Sequence, residues 1–150
     1  MVKKFSQRLA STARKNRSLV CVGLDPNPRL MPVDSVLEFN KLVIDATKDL
    51  VCAYKPNLSF YEALGYGGFK DLAETVSYIR ALAPEVMVIG DGKRGDIAHS
   101  NVGYAKALFE VWGFDAATVN AYAGGEALEP FFAYEDRGVF VWCRSSNPGA

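Results

Sequence analysis

Five short apolar runs, each closing on a polar side chain, recur along this chain at intervals of about 30 residues, the length of a strand–helix–strand unit. Ser18–Leu24 closes on Asp25, Leu50–Tyr54 on Lys55, and Val86–Gly90 on Asp91. Ala116–Val119 closes on Asn120, and Val139–Cys143 on Arg144, Ser145 and Ser146. Unbroken apolar runs this short suit strands covered on both faces, as in a parallel sheet.

The segments between them carry helical spacing. Ser35 and Glu38 form a capping box ahead of Phe39, Val43, Ala46 and Leu50. Phe69, Leu72, Ala73, Val76 and Ile79 make a second stripe that stops before Pro84. Val102, Ala105, Leu108, Phe109 and Trp112 make a third, closed by Gly113. Phe5, Leu9 and Ala13 predict an amphipathic lead-in helix, while Pro130 blurs residues 125–137. Alternation of this kind predicts an α/β protein with parallel strands. A doubly wound sheet carries a Gly-rich phosphate loop after its first strand, and Gly23-Leu-Asp-Pro-Asn-Pro is not one. In a (β/α)8 TIM barrel the functional side chains stand at the C-terminal ends of several strands, where Asp25, Lys55, Asp91, Lys93 and Ser146 fall. The expected architecture is that barrel, truncated after about five strands, with residues 1–150 as the N-terminal portion of a single domain.

The densest chemistry lies in Val86–Ser100. A period of two puts Asp91 and Lys93 on one face, with Asp96 in the following loop and tight turns expected at Gly92 and Gly95. Two carboxylates flanking one ammonium create a local field suited to a reaction in which charge changes. The 17 basic and 17 acidic residues cancel, which argues against a nucleic-acid or anionic-membrane partner. No apolar run approaches the ~20 residues that span a bilayer. Cys21, Cys52 and Cys143 form no C-x-x-C pair and are expected as buried, reduced thiols, with no metal site. No secretory apolar segment is apparent, so the cytoplasm is expected. His99 is expected to pack or face solvent, and Trp112, Phe131, Phe132 and Trp142 to serve packing.

Four stretches, taken together, resemble the orotidine 5′-phosphate decarboxylase family. They are Leu24-Asp25-Pro26, Tyr54-Lys55-Pro56-Asn57, Asp91-Gly-Lys93-Arg94-Gly-Asp96-Ile97 and Arg144-Ser145-Ser146-Asn147-Pro148-Gly149. The Lys-Arg-Gly-Asp-Ile form resembles the longer of its subfamilies. The resemblance implies conversion of orotidine 5′-phosphate to UMP without a cofactor or metal, by a homodimer. It implies that Lys93 protonates the carbon that loses CO2, with Asp91, Asp96 and Lys55 completing the charged network. Asp96 and Ser100 would reach into the neighbouring protomer's site, Asp25 would bind the ribose and Ser146 the pyrimidine. The role of Arg94 stays open. Mg-dependent phosphosugar decarboxylases and synthases share the D-x-K-x-x-D pattern but carry an acid where Lys55 stands. A non-catalytic half-barrel is the other alternative. The family's phosphate-gripping loops belong to later strands, so a fragment inactive by itself is expected, with Val22, Val88 and Val141 left unburied on the barrel interior.

Overall fold

The computed structural model describes residues 3–149. Its helices are α1 (Phe5–Lys15), α2 (Val36–Thr47), α3 (Leu58–Glu62), α4 (Gly65–Leu82), α5 (Ala98–Lys106) and α6 (Glu129–Phe132). Its strands are β1 (Cys21–Leu24), β2 (Ala53–Pro56), β3 (Met87–Arg94), β4 (Ala116–Asn120) and β5 (Gly138–Trp142). Every pairing is parallel, and the strands lie side by side in chain order. A doubly wound sheet reverses its order at a switch point; consecutive order is that of a barrel wall. The five strands are thus a stretch of a (β/α)8 wall, and the outer edges of β1 and β5 are unpaired among the described residues.

Alternation along the strands separates two layers. Leu24, Tyr54, Val88, Ala117 and Val119 pack against Ile44, Leu72, Ile79 and Leu108 from the helices. Burying each of the larger aliphatic side chains contributes about 1.5–3 kcal/mol. Ala53, Met87, Ile89 and Ala116 face the other way and are covered by Phe5, with Leu9 and Ala13 of α1 beside it. Val22, Val88 and Val141 therefore do not line the interior as expected. Val22 pairs with Tyr54 and Val141 with Val119, both on the helix side, and Val88 is fully buried there. The interior positions are one residue out of step, because a one-residue shift in a strand exchanges its faces.

Several helix positions also differ from the expected stripes. Ser35 Oγ accepts the Glu38 amide at 3.2 Å, the serine arm of the expected capping box, but α2 ends at Thr47 and leaves Leu50 63% exposed. Ala73 and Val102 face solvent, while Thr75 and Asn101 are buried. These polar side chains do what apolar ones cannot. Thr75 joins Asn40 and Tyr61 in a buried hydrogen-bonded set, and Asn101 donates to the carbonyls of Asp96 and Ala127. A π-helical turn, Ala107–Val111, extends α5 before Gly113 terminates it at φ 68°. Pro130 falls in the first turn of α6, where its missing N–H is tolerated. Cys52 is buried, but Cys21 and Cys143 are exposed, on the edge strand β1 and just beyond β5. Phe132 and Trp142 are 51% and 45% exposed, so neither serves packing alone.

At the N-terminal end of the sheet, Asp115 is 1% exposed and holds the layers together. Arg8 of α1 and Arg80 of α4 bind its carboxylate at 2.6 and 2.8 Å, and Arg137 approaches to 4.0 Å. Its Oδ2 also accepts the Val88 amide at 2.8 Å.

Candidate active site

β3 does not stop at Gly90 but continues through the charged motif to Arg94. Its pairing with β4 runs from Ile89–Ala116 to Gly90–Ala117, then resumes only at Arg94–Val119. Four residues of β3 thus advance against two of β4, and the bulge carries Asp91, Gly92 and Lys93 out of the ladder. The expected turns at Gly92 and Gly95 are replaced by a left-handed backbone at Lys93 itself, with φ 45°. For a side-chain-bearing residue this costs of order 1–3 kcal/mol and requires support from its surroundings. The glycines serve close approach instead. A Cβ at Gly95 would lie 2.5 Å from the Asn120 carbonyl oxygen, and one at Gly92 would lie 2.9 Å from Leu58 Cδ1.

Asp91 is 6% exposed and takes three donors. Lys55 Nζ reaches Oδ2 at 2.7 Å; Lys93 Nζ and the Thr118 hydroxyl both reach Oδ1 at 2.7 Å. Burial pushes the Asp91 carboxyl up, but hydrogen bonds from Lys55, Lys93 and Thr118, with the Lys55 charge, outweigh it and hold it at about 2. Within one chain the arrangement is therefore one carboxylate between two ammonium groups, the reverse of the expected pattern. Asp96 is exposed, and its carboxylate accepts the amide of Ile97, the residue that leads into α5, at 2.7 Å; among the described residues it makes no ion pair with Lys93. The alternation rule accounts for the rest of the face. Gly23 pairs with Lys55, Asn57 bridges to Asp91, and Thr118 and Asn120 pair with Phe140 and Trp142.

Asp25, just beyond β1, accepts the Asn57 amide at 3.1 Å on this same rim. Ser100 is partly buried on α5, and His99 beside it is exposed, as the solvent-facing expectation has it. A cavity of about 470 Å³ opens between the ends of β4 and β5, lined by Asn120, Tyr122, Trp142, Arg144 and Ser145. Ser145 rather than Ser146 lines it; Ser146 is exposed in the next position. Lys93 Nζ lies 5.9 Å from the Trp142 ring centre, which gives that ring a place in the site. Arg94 pairs with Glu62 of α3 and stacks over Tyr104 of α5 at 5.4 Å, pinning the end of β3 to two helices. Asn57, Thr118, Asn120 and Trp142 were not among the expected site residues. Continuing the period of two along β4 from Asn120 would have found Thr118, since both share the face of Lys93.

A sequence model described as the orotidine 5′-phosphate decarboxylase / HUMPS family matches residues 18–150. The chain belongs to this family. It is 48% identical over 148 residues to an orotidine 5′-phosphate decarboxylase of Dehalococcoides mccartyi, covering 98% of this chain and 54% of that one. An enzyme of the same name from Thermomicrobium roseum is 50% identical over 152 residues, covering 97% of this chain and 53% of its own. The solved structure of a Leishmania donovani OMP decarboxylase superimposes with a TM-score of 0.84 at 37% identity, covering 97% of this chain and 56% of that one. The chain spans about half the length of the curated relatives it matches. No helix among the described residues is long and apolar enough to cross a membrane.

Proposed function

We propose that residues 1–150 supply the first five strands of a barrel that decarboxylates orotidine 5′-phosphate to UMP. The observation that carries this reading is the Lys55–Asp91–Lys93 row, 2.7 Å at each contact, at the C-terminal ends of β2 and β3. Loss of CO2 from a vinyl carbon leaves its electron pair in an in-plane orbital that the ring cannot delocalise. A fixed ammonium is the direct means of stabilising that charge. In this reading the C–C bond to the carboxylate breaks, the electron pair stays on carbon, and Lys93 Nζ delivers a proton there. Asp91 fixes Lys93 and repels the substrate carboxylate by ~4 kcal/mol at ~4 Å and an effective dielectric constant of 20. That repulsion disappears as CO2 departs. Lys55 orients Asp91 from its other oxygen.

Asp25 is assigned to the ribose hydroxyls, and Ser146 to the pyrimidine together with its neighbour Ser145. Asp96 and Ser100 are assigned to the site of a second copy in a homodimer. The exposure of Asp96 and the absence, among the described residues, of an ion pair with its own Lys93 support that assignment. Both oxygens of Asp91 are taken by ammonium groups, which disfavours a divalent cation there and with it the Mg-dependent phosphosugar reading.

The test is CO2 release from orotidine 5′-phosphate by the complete enzyme carrying these residues, with and without EDTA. Turnover unaffected by the chelator is expected. A rate that EDTA abolishes and Mg2+ restores would transfer the assignment to the phosphosugar enzymes.

A further inference from the structure

We propose that Thr118 and Asn120 of β4 are positioning residues that clamp the Lys93 peptide from both sides and thereby aim its ammonium group. What that ammonium does rests on the decarboxylase reading; the clamp itself does not.

The bulge in β3 removes Lys93 from the regular ladder, so its backbone groups need other partners. Two side chains of β4 provide them. The Lys93 N–H donates to Thr118 Oγ1 at 2.9 Å, and Asn120 Nδ2 donates to the Lys93 carbonyl at 2.9 Å. Thr118 and Asn120 are two apart on one strand face, a spacing that matches the two ends of a single residue. Between them Lys93 is held at φ 45°, a conformation a lysine does not adopt unaided.

The Thr118 hydroxyl is fully engaged in this. It accepts from the Lys93 amide and gives its one proton to Asp91 Oδ1, the oxygen that also receives Lys93 Nζ. Backbone and side chain of the same lysine are thus referenced to one hydroxyl. Asn120 is equally constrained: its side-chain oxygen would lie 2.6 Å from a Cβ at Gly95, so it fits only because that residue has none. Serine could replace threonine in this relay, whereas valine, of the same shape, could neither accept nor donate.

In the complete enzyme, Thr118→Val is expected to lower kcat by roughly 10- to 100-fold, the scale of a misaimed catalytic group, with KM within about threefold. Thr118→Ser is expected to return kcat to near the wild-type value. Amide hydrogen exchange at Lys93 should quicken at least about tenfold in Thr118→Val and stay slow in Thr118→Ser, since only the former removes the acceptor. If Thr118→Val does not fold, Asn120→Ala at the strand end is measured in its place, with the same split between kcat and KM expected. A kcat within twofold of wild type in Thr118→Val, or a serine variant as slow as the valine one, would overturn the proposal. If the wild-type enzyme leaves orotidine 5′-phosphate untouched, the decarboxylase reading falls. The exchange rate at Lys93 then decides the clamp alone, and an unchanged rate in Thr118→Val rejects it.

Discussion

Two residues carry most of the electrostatic argument, and each has its own measurable consequence. Lys93→Ala in the complete enzyme should lower kcat and kcat/KM together, by at least about 10²–10³-fold, because its interaction strengthens as charge develops. A rise in KM alone would make Lys93 a binding residue. Asp91 adds a pH signature. Its carboxyl sits at about 2 in the fold, below the ~3.9 of an unfolded chain. The folded state therefore binds fewer protons there, and the stabilisation is complete above about pH 4. It is lost as pH falls from 4 towards 2. Urea unfolding should show wild type more stable than Asp91→Asn at pH 6, with the gap narrowing steadily below pH 4. A gap independent of pH would place the effect in packing, not charge.

At the level of elements, two adjacent glycines in α4 make opposite demands. Gly68 lies where α4 turns back on α3, and a Cβ there would collide with the Tyr61 carbonyl oxygen. No neighbouring flexible tip can yield, so Gly68→Ala must force the two helices apart and lower the melting temperature. Gly67 has nothing within 4 Å of its would-be Cβ. Gly67→Ala should stabilise by about 0.5–1 kcal/mol through the lower entropy of the unfolded chain. Calorimetry on both variants checks the pair, and equal shifts of the same sign would contradict the close approach of α3 and α4.

On the scale of the molecule, the two ends of the sheet hold carboxylates with different duties. Asp91 lies at the C-terminal ends of the strands, and Asp115 at the N-terminal end among Arg8, Arg80 and Arg137. Barrels place function at the first end and stability at the second. Asp115→Ala leaves the Arg8 and Arg80 guanidinium groups without their carboxylate, while Arg137 keeps Asp136 at 3.5 Å, and should destabilise by roughly 3 kcal/mol, with kcat per folded molecule unchanged. Assembly gives a further test. Mixing complete Asp96→Asn and Lys93→Ala proteins, each inactive alone, should restore activity, because one heterodimer site then receives both intact residues. Heterodimers that form without regaining activity would place Asp96 in the site of its own protomer.

Periodicity alone was enough for much of this molecule. Apolar runs of strand length, a Ser-x-x-Glu cap and Gly113 located the strands and helices, because backbone hydrogen bonding and burial are local demands. The same alternation rule put Asp91 and Lys93 side by side. What it could not supply was phase and partner. Val22, Val88 and Val141 face the helices and not the interior that alternation alone predicts, since each strand's absolute phase depends on which neighbours cover it. Thr75 and Asn101 gave no apolar signal, because their burial is justified only by partners far along the chain. The left-handed backbone at Lys93 arises from a register shift against β4, and no local motif encodes a register between strands 25 residues apart. The motifs picked out Lys55, Asp91 and Lys93, which the fold brings into one row; the pairing of β3 with β4 decided how the lysine is held.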